Sequence, residues 1–170
     1  RLKIDFPTQE IRLAERLKRE YPLHRFCRLA PILYPLRAVK HAEELKALKT
    51  ACDITQKAFT RALKSIKPGK FEYEIEAELI YEMIRNGASG HSFAPIVASG
   101  KDTCILHYIK NDKQMQDGDL LLLDFGAEYA NYAGDATRTV PVNGKFSPRQ
   151  KQVYQAVISI YKETIPLFKP

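Results

Sequence analysis

Two aspartates, Asp124 and Asp135, are the residues of this sequence best suited to chemistry. They lie on either side of a chain reversal that we expect near residues 129–132. A reversal midway between them would make them direct neighbours on one face of an antiparallel hairpin. Carboxylates that close repel each other unless a shared proton, a cation such as Arg138 or a metal ion stabilises them. Hard divalent cations accept several carboxylate oxygens, but the spacing alone also fits two solvated aspartates in a hairpin.

Short apolar runs around the aspartates predict the strands that would position them. Residues 120–129 begin with four leucines, so this strand is apolar on both faces at its start and should be central in its sheet. Residues 136–142 predict the returning strand. Two further runs, residues 94–98 and 104–108, are bounded by turn-forming residues and are typical of strands.

Three longer segments show the periodicity of amphipathic helices. Apolar residues recur at steps of three and four over residues 39–66, until Lys67-Pro68-Gly69 ends the pattern. Residues 72–85 predict a second helix, and residues 147–167 predict a third. The end of the first helix resembles the end of the third after a shift of 102 residues, which suggests that a second helix-helix-sheet unit begins there. The pattern is that of an α+β protein.

The first part of the chain is basic and less regularly patterned. A short amphipathic stretch covers residues 8–19, and Pro22, Pro31 and Pro35 should interrupt regular structure after it. The chain begins at Arg1 without an initiator methionine or an apolar signal segment. We therefore expect residues 1–35 to be the tail of a preceding domain and a linker.

Composition excludes some functions and leaves others open. The net charge is +7, yet the basic residues are interleaved with acids, so the sequence does not favour nucleic-acid binding. No run is long and apolar enough for a membrane helix. The three cysteines are far apart and odd in number, which argues against a disulfide framework and favours a reducing, cytoplasmic compartment.

The sequence around the two aspartates closely resembles the metal-binding hairpin of Xaa-Pro aminopeptidases, the aminopeptidase P type of metallopeptidase family M24. The residues that carry the resemblance are LLDFGAEY and YAGDATRTVPVNGKFS, with IKPG, FEYEIE, GHSF, PIVASG and LHY upstream. The resemblance covers about residues 36–170. It implies that these residues form the N-terminal half of a pita-bread catalytic domain, in which long helices pack on a curved antiparallel sheet.

The resemblance also implies roles for individual residues. The position of Asp124 binds one metal ion through both carboxylate oxygens, and the position of Asp135 bridges two. His107 matches a histidine that lines the substrate site, and Thr137 matches a small hydroxyl residue beside the second aspartate, which we expect to support the metal ligands. The metal is usually manganese, with cobalt or zinc as substitutes. A water between the two ions attacks the peptide bond before proline.

The resemblance implies three further ligands, one histidine and two glutamates from the second half of the domain, and we expect none of them in this sequence, which ends at Pro170. The chain alone should therefore bind metal weakly or not at all, and we expect it to be inactive. We also expect it to associate with itself or with the missing C-terminal half, and the peptide substrate of the whole protein should carry proline at its second position.

Several alternatives remain open. An Xaa-Pro dipeptidase or a methionine-aminopeptidase-like enzyme would share the aspartate pair, although the run TRTVPVNGKF favours the aminopeptidase. A non-catalytic pita-bread binding module is a third possibility, which the presence of both Asp124 and Asp135 disfavours. Without the resemblance, His107 would be interpreted as a core histidine in a strand, and Cys104 as a small buried residue.

Overall fold

A computed structural model describes residues 7–169 of the chain. They divide into two compact units, with the boundary between His41 and Ala42. The boundary predicted after residue 35 lies inside a helix of the first unit, and the assignment of residues 1–35 to a preceding domain stays a prediction. Residues 1–6 of that stretch lie outside the described part of the chain.

The first unit contains two helices, α1 (Gln9–Glu20) and α2 (Ala30–Ala38). The expectation that prolines interrupt this region is wrong for two of them. Pro31 occupies the first turn of α2, where the missing N–H would have no partner inside the helix anyway. Pro35 lies in the interior of α2 and removes one backbone hydrogen bond there, which the short exposed helix tolerates.

The second unit is built on two packed helices, α3 (Ala42–Ser65) and α4 (Glu72–Arg85). Both predicted helices are confirmed, although α3 begins three residues later than the periodicity suggests. The buried side of α3 consists mainly of small residues, and that of α4 of longer apolar ones, so the two helices approach closely. The fully buried apolar residues of these helices are Ala51, Ala58, Ala62, Ile75, Leu79 and Met83.

The sheet strands β2 (Ile96–Ser99), β3 (Leu120–Phe125) and β6 (Ala136–Pro141) are antiparallel, and β3 lies in the middle as predicted. Burial alternates along β3. Leu121, Leu123 and Phe125 are fully buried and belong to the core formed with α3 and α4. The intervening residues, among them Asp124, are only half-buried. The sheet thus has one face on the helices and one open face.

The strands continue past β3 and β6 into a second small sheet of β1 (Gly90–His91), β4 (Ala127–Tyr129) and β5 (Tyr132–Ala133). Ala130 and Asn131 link β4 to β5 and have φ angles of 51° and 65°. A two-residue turn with positive φ at both positions matches the twist of a hairpin. The reversal expected near residues 129–132 is therefore confirmed.

The strand predicted for residues 104–108 is wrong. A 3₁₀ helix covers Gly100–Cys104, and an irregular segment follows it. His107 and Asn111 have φ angles of 54° and 53°, which no strand ladder accommodates. Cys104 is exposed, contrary to expectation. The apolar composition wrongly predicted a strand because several of these side chains face solvent instead of a core.

The prediction of a last helix is confirmed by α5 (Pro148–Thr164), which begins directly after Ser147 as expected. Ser147 and Gln150 bond reciprocally to each other's backbone N–H at 3.2 and 2.8 Å, which caps the first turn. No residue of α5 is buried. Within residues 7–169 no helix has the length and apolar character needed to cross a bilayer.

Candidate metal centre

Asp124 lies on the central strand of the sheet, on its open face. Its neighbours across the ladder are Ile96 of β2 and Thr137 of β6. The Thr137 hydroxyl donates a hydrogen bond to Asp124 Oδ1 at 2.9 Å. The strand thus fixes the backbone of Asp124 on both sides, while Thr137 orients its carboxylate and leaves the second oxygen available.

Asp135 directly precedes β6 and is exposed. The hairpin turn is centred one residue later than the midpoint of the two aspartates, so Asp124 faces Thr137 and not Asp135. The same register holds on both sides of Gly134, whose N–H donates to Ala127 O at 2.8 Å. No residue is therefore inserted, and alternation puts Asp135 on the face of Thr137. Asp135 is then a diagonal neighbour of Asp124 on the adjacent strand, and a diagonal pair of this kind has its Cα atoms about 7 Å apart.

Close packing of glycines fixes the hairpin between the two aspartates. A Cβ added to Gly126 would lie 1.8 Å from the carbonyl oxygen of Gly134, so only glycine fits. The Ser92 hydroxyl donates to that same oxygen at 2.8 Å. On the other side, Thr55 of α3 accepts a hydrogen bond from Ala127 N–H at 2.9 Å. These contacts fix the backbone next to Asp135, directly before β6.

Neither aspartate has a cationic partner among the described residues. Arg138, the cation that the sequence suggests, pairs with Leu123 in the ladder, so alternation directs it to the opposite face from Asp124. Its guanidinium donates to Thr137 O at 2.7 Å. The two carboxylates thus present oxygen donors without a neutralising side chain, which suits a hard divalent cation.

Two aspartates alone do not complete a metal site. Within residues 7–169 no group of three or more His, Cys, Asp or Glu side chains is arranged to hold a metal ion. Asp124 and Asp135 therefore offer the oxygen donors that divalent ions prefer, but two side chains are too few to complete the coordination of such ions.

His107 lies on the irregular segment that follows the 3₁₀ helix, with its side chain exposed. It is not the core histidine of the alternative interpretation. The next residue, Tyr108, is buried, and burial raises the pKa of its hydroxyl, as does its hydrogen bond to Glu72. Tyr108 thus keeps its proton and donates a hydrogen bond to that carboxylate at 2.8 Å.

Sequence reasoning missed Glu72 and Tyr108 as residues that hold the His107 segment. Glu72 is the first residue of α4 and is fully buried, which is rare for glutamate. In the sequence it looks like one of several acids that stabilise the start of a helix. No local pattern marks it, because its partners lie between 27 and 41 positions away.

The helix-backed antiparallel sheet with carboxylates on its open face defines an α+β protein suited to bind a cation. Comparison with known proteins specifies the family. The model of metallopeptidase family M24 matches residues 46–170. The chain belongs to this family, and the predicted resemblance to its Xaa-Pro aminopeptidases is confirmed.

Individual relatives support this membership. An Xaa-Pro aminopeptidase of Escherichia coli is 45% identical over 140 residues, which are 82% of this chain and 32% of that protein. An Xaa-Pro dipeptidase of Pyrococcus horikoshii is 35% identical over 156 residues, 92% of this chain and 44% of that protein. The chain therefore spans about a third of the length of the first relative and less than half of the second.

A solved structure agrees with the fold. The zinc-substituted E. coli aminopeptidase P in complex with product has a TM-score of 0.81 and 44% identity. It covers 84% of this chain, and the chain covers 32% of it. The prediction of one part of a pita-bread fold is thereby confirmed. The roles predicted for Asp124, Asp135 and His107 stay predictions.

Proposed function

We propose that the whole protein is a metal-dependent exopeptidase that releases the N-terminal residue from peptides with proline at the second position. The observation that supports this most is Asp124 on the open face beside Thr137, with Asp135 placed on the same face by alternation, in a chain of family M24. Both carboxylates are free of cationic partners among the described residues. The pair therefore presents carboxylate oxygens that no side chain of the described residues neutralises, and hard divalent cations bind such oxygens.

We propose that Asp124 and Asp135 hold two divalent ions together with the histidine and two glutamates that the family resemblance implies. Manganese is the proposed metal, because carboxylate oxygens suit it, and the zinc-substituted E. coli relative is consistent with exchange of the metal. When bound, the ions would lower the pKa of a water molecule and stabilise negative charge on the scissile carbonyl oxygen.

The residues of this chain would act around those ions. Thr137 holds Asp124 Oδ1, so that the carboxylate presents a defined oxygen to a cation. His107 is exposed on its segment, and its imidazole N–H can donate to the substrate carbonyl oxygen as negative charge develops there. In this role His107 binds the substrate and the reacting intermediate.

An Xaa-Pro dipeptidase is the second candidate, supported by the 35% identity to the P. horikoshii dipeptidase. The two functions differ in the group that the enzyme accepts on the C-terminal side of the proline. An aminopeptidase must accept a further residue there, whereas a dipeptidase must accept the carboxylate of proline itself. Hydrolysis of a tripeptide Xaa-Pro-Yaa and of the dipeptide Xaa-Pro by the full-length, manganese-loaded protein therefore separates them.

We expect release of the N-terminal residue from the tripeptide, with little hydrolysis of the dipeptide. Asp135→Asn should lose bound metal and lower kcat/KM by more than the ~100-fold that loss of an outer metal contact costs. Asp53→Asn, an exposed aspartate of α3, is the matched control and should retain both. Preference for the dipeptide would support the second candidate, and metal binding without either hydrolysis would contradict both.

We also propose that the 170-residue chain alone is inactive and associates with itself or with the remainder of the domain. Apolar side chains of α5 and residues 137–139 of β6 line a cavity of about 690 Å³. Val157 and Tyr161 in its wall are exposed, as is Ile160 of the same helix. Association would cover them. A reducing, cytoplasmic compartment is proposed as well, since the three cysteines are free.

A further inference from the structure

The buried carboxylate of Glu72 is satisfied by four donors. Its Oε1 accepts hydrogen bonds from the N–H and the hydroxyl of Ser99, each at 2.7 Å. Its Oε2 accepts from the Tyr108 hydroxyl at 2.8 Å and from the Lys113 N–H at 3.2 Å. A buried carboxylate is stable only with such compensation, and its place in the first turn of α4 adds the favourable helix dipole.

These donors come from the start, the middle and the end of one segment, residues 99–113. Ser99 is the last residue of β2, and Tyr108 directly follows His107. The Lys113 carbonyl oxygen also accepts a hydrogen bond from Glu72 N–H at 3.0 Å, and the Lys113 ammonium donates to Ser99 O at 3.1 Å. One carboxylate therefore joins both ends of the segment and fixes its centre.

Apolar packing does little to hold the centre of this segment. Leu106 and Ile109 are each 85% exposed, and His107 between them is exposed as well. Tyr108 is 4% exposed, so it is the buried side chain of residues 105–110. His107 takes the left-handed backbone conformation, which persists only where the surroundings enforce it. The hydrogen bond from Tyr108 to Glu72 is the contact placed to do so.

We propose that Glu72 is a positioning residue that acts through Tyr108 to hold His107 in place for the substrate. Glu72 is fully buried, so it acts through its hydrogen-bond partners and not by contact with the substrate. By accepting hydrogen bonds from the segment in the protein interior, its carboxylate holds this exposed and irregular stretch in one conformation. This inference rests on the proposed function, because the role of His107 belongs to that function.

A double-mutant cycle on the full-length, manganese-loaded protein tests this. Tyr108→Phe removes the hydroxyl and keeps the ring in place, so we expect kcat/KM for an Xaa-Pro-Yaa tripeptide to fall about tenfold. Bound manganese should be unchanged, since the aspartate hairpin is untouched. In a His107→Ala background, Tyr108→Phe should cause no further loss, because a residue that acts through His107 has nothing left to position.

Tyr73→Phe is the matched control, because Tyr73 is an exposed tyrosine in the first turn of α4 and should leave kcat/KM unchanged. Glu72→Gln is the second variant and should reproduce the loss of activity and the coupling to His107→Ala. Amide hydrogen exchange adds a readout that does not depend on turnover. We expect faster exchange of residues 105–112 in Tyr108→Phe than in wild type or Tyr73→Phe.

Three outcomes would overturn the inference. Unchanged kcat/KM in Tyr108→Phe would show that His107 needs no such anchor. Losses that multiply in the double mutant would show that Tyr108 acts independently of His107. In both cases the wild type remains an Xaa-Pro peptidase, so the proposed function stands. A metal-loaded wild type that cleaves no Xaa-Pro peptide would overturn the function and the inference together.

Discussion

The hairpin that carries Asp124 and Asp135 and the segment that carries His107 are held in place by different physical means. The hairpin keeps one register from β3 and β6 through its turn, and the helix-facing side chains of β3 are fully buried. The His107 segment has no regular secondary structure after the 3₁₀ helix and exposes its apolar side chains. Backbone ladder and close packing position the aspartates, whereas a buried carboxylate positions the histidine.

This difference suits the different tasks proposed for the two regions. Metal ligands need fixed positions that do not depend on substrate, and a central strand backed by helices provides them. A residue that contacts substrate benefits from a segment that can adjust, and a segment with few apolar contacts opens more easily. The hairpin should therefore be sensitive to changes in packing, and the His107 segment to the loss of polar contacts.

The largest effect should result from Gly126→Ala. The new Cβ would lie 1.8 Å from Gly134 O and 2.7 Å from the Ser92 hydroxyl, and the first of these atoms is backbone that cannot move alone. We expect the full-length protein to lose at least about 3 kcal/mol of stability, or not to fold. Thermal unfolding and metal content measure the effect.

Gly118→Ala separates overlap from backbone strain. Gly118 has a φ of 83° but no atom within 4 Å of an added Cβ. That variant should lose only about 1 kcal/mol. Equal losses in the two variants would contradict the close approach of the two hairpin strands.

Thr55→Val should have the next largest effect. Valine keeps the shape of threonine but cannot accept the Ala127 N–H, which lies in the core. A buried donor without a partner costs about 1–3 kcal/mol. Thr60→Val is the matched control, since Thr60 is an exposed threonine of the same helix whose hydroxyl, like that of Thr55, donates to the carbonyl four residues earlier. If the two variants unfold at the same temperature, α3 does not support the hairpin as described.

Periodicity and turn chemistry made much of the fold predictable. The helices α3, α4 and α5 and the central strand follow from apolar spacing, Pro68-Gly69 and the Ser147 cap. The register of the aspartates did not follow, because Ala130 adopts the left-handed conformation that the turn needs and gives no sequence signal for it. A shift of one residue there exchanged Asp135 for Thr137 opposite Asp124.

The His107 segment was predicted least well, and the reason is physical. Cys104-Ile105-Leu106 has the composition of a strand, yet the chain that follows it is held by hydrogen bonds to Glu72, which lies 36 positions before Tyr108 and 41 before Lys113. Local sequence carries no information about such partners. The site of this protein thus combines a part encoded locally and a part encoded by distant polar contacts.

Thr137→Val tests the polar support of the hairpin site. The variant removes the hydrogen bond to Asp124 Oδ1 without changing the volume of the side chain. We expect manganese affinity of the full-length protein to fall about tenfold with little loss of stability. Thr139→Val, two residues along β6 and opposite Leu122, is the matched control and should bind manganese like wild type. Equal affinities in all three proteins would show that Thr137 does not orient a metal ligand.

The smallest effect is expected at the start of α4, which presents Glu72. The Lys70 ammonium and the Phe71 N–H, each 2.8 Å from Glu74, hold the pKa of that carboxyl below its ordinary value of 4.5. A lowered pKa stabilises the fold above about pH 4.5, and this contribution is lost as the pH falls through the lowered pKa. Glu74→Gln still accepts the Phe71 N–H and loses only the charge. We expect its melting temperature to lie slightly below that of wild type at pH 6–9 and to approach it below about pH 4. Glu43→Gln, an exposed acid in the first turn of α3, should show a smaller difference. If the difference in melting temperature between Glu74→Gln and wild type is the same in acid, the charge of Glu74 does not stabilise the start of α4.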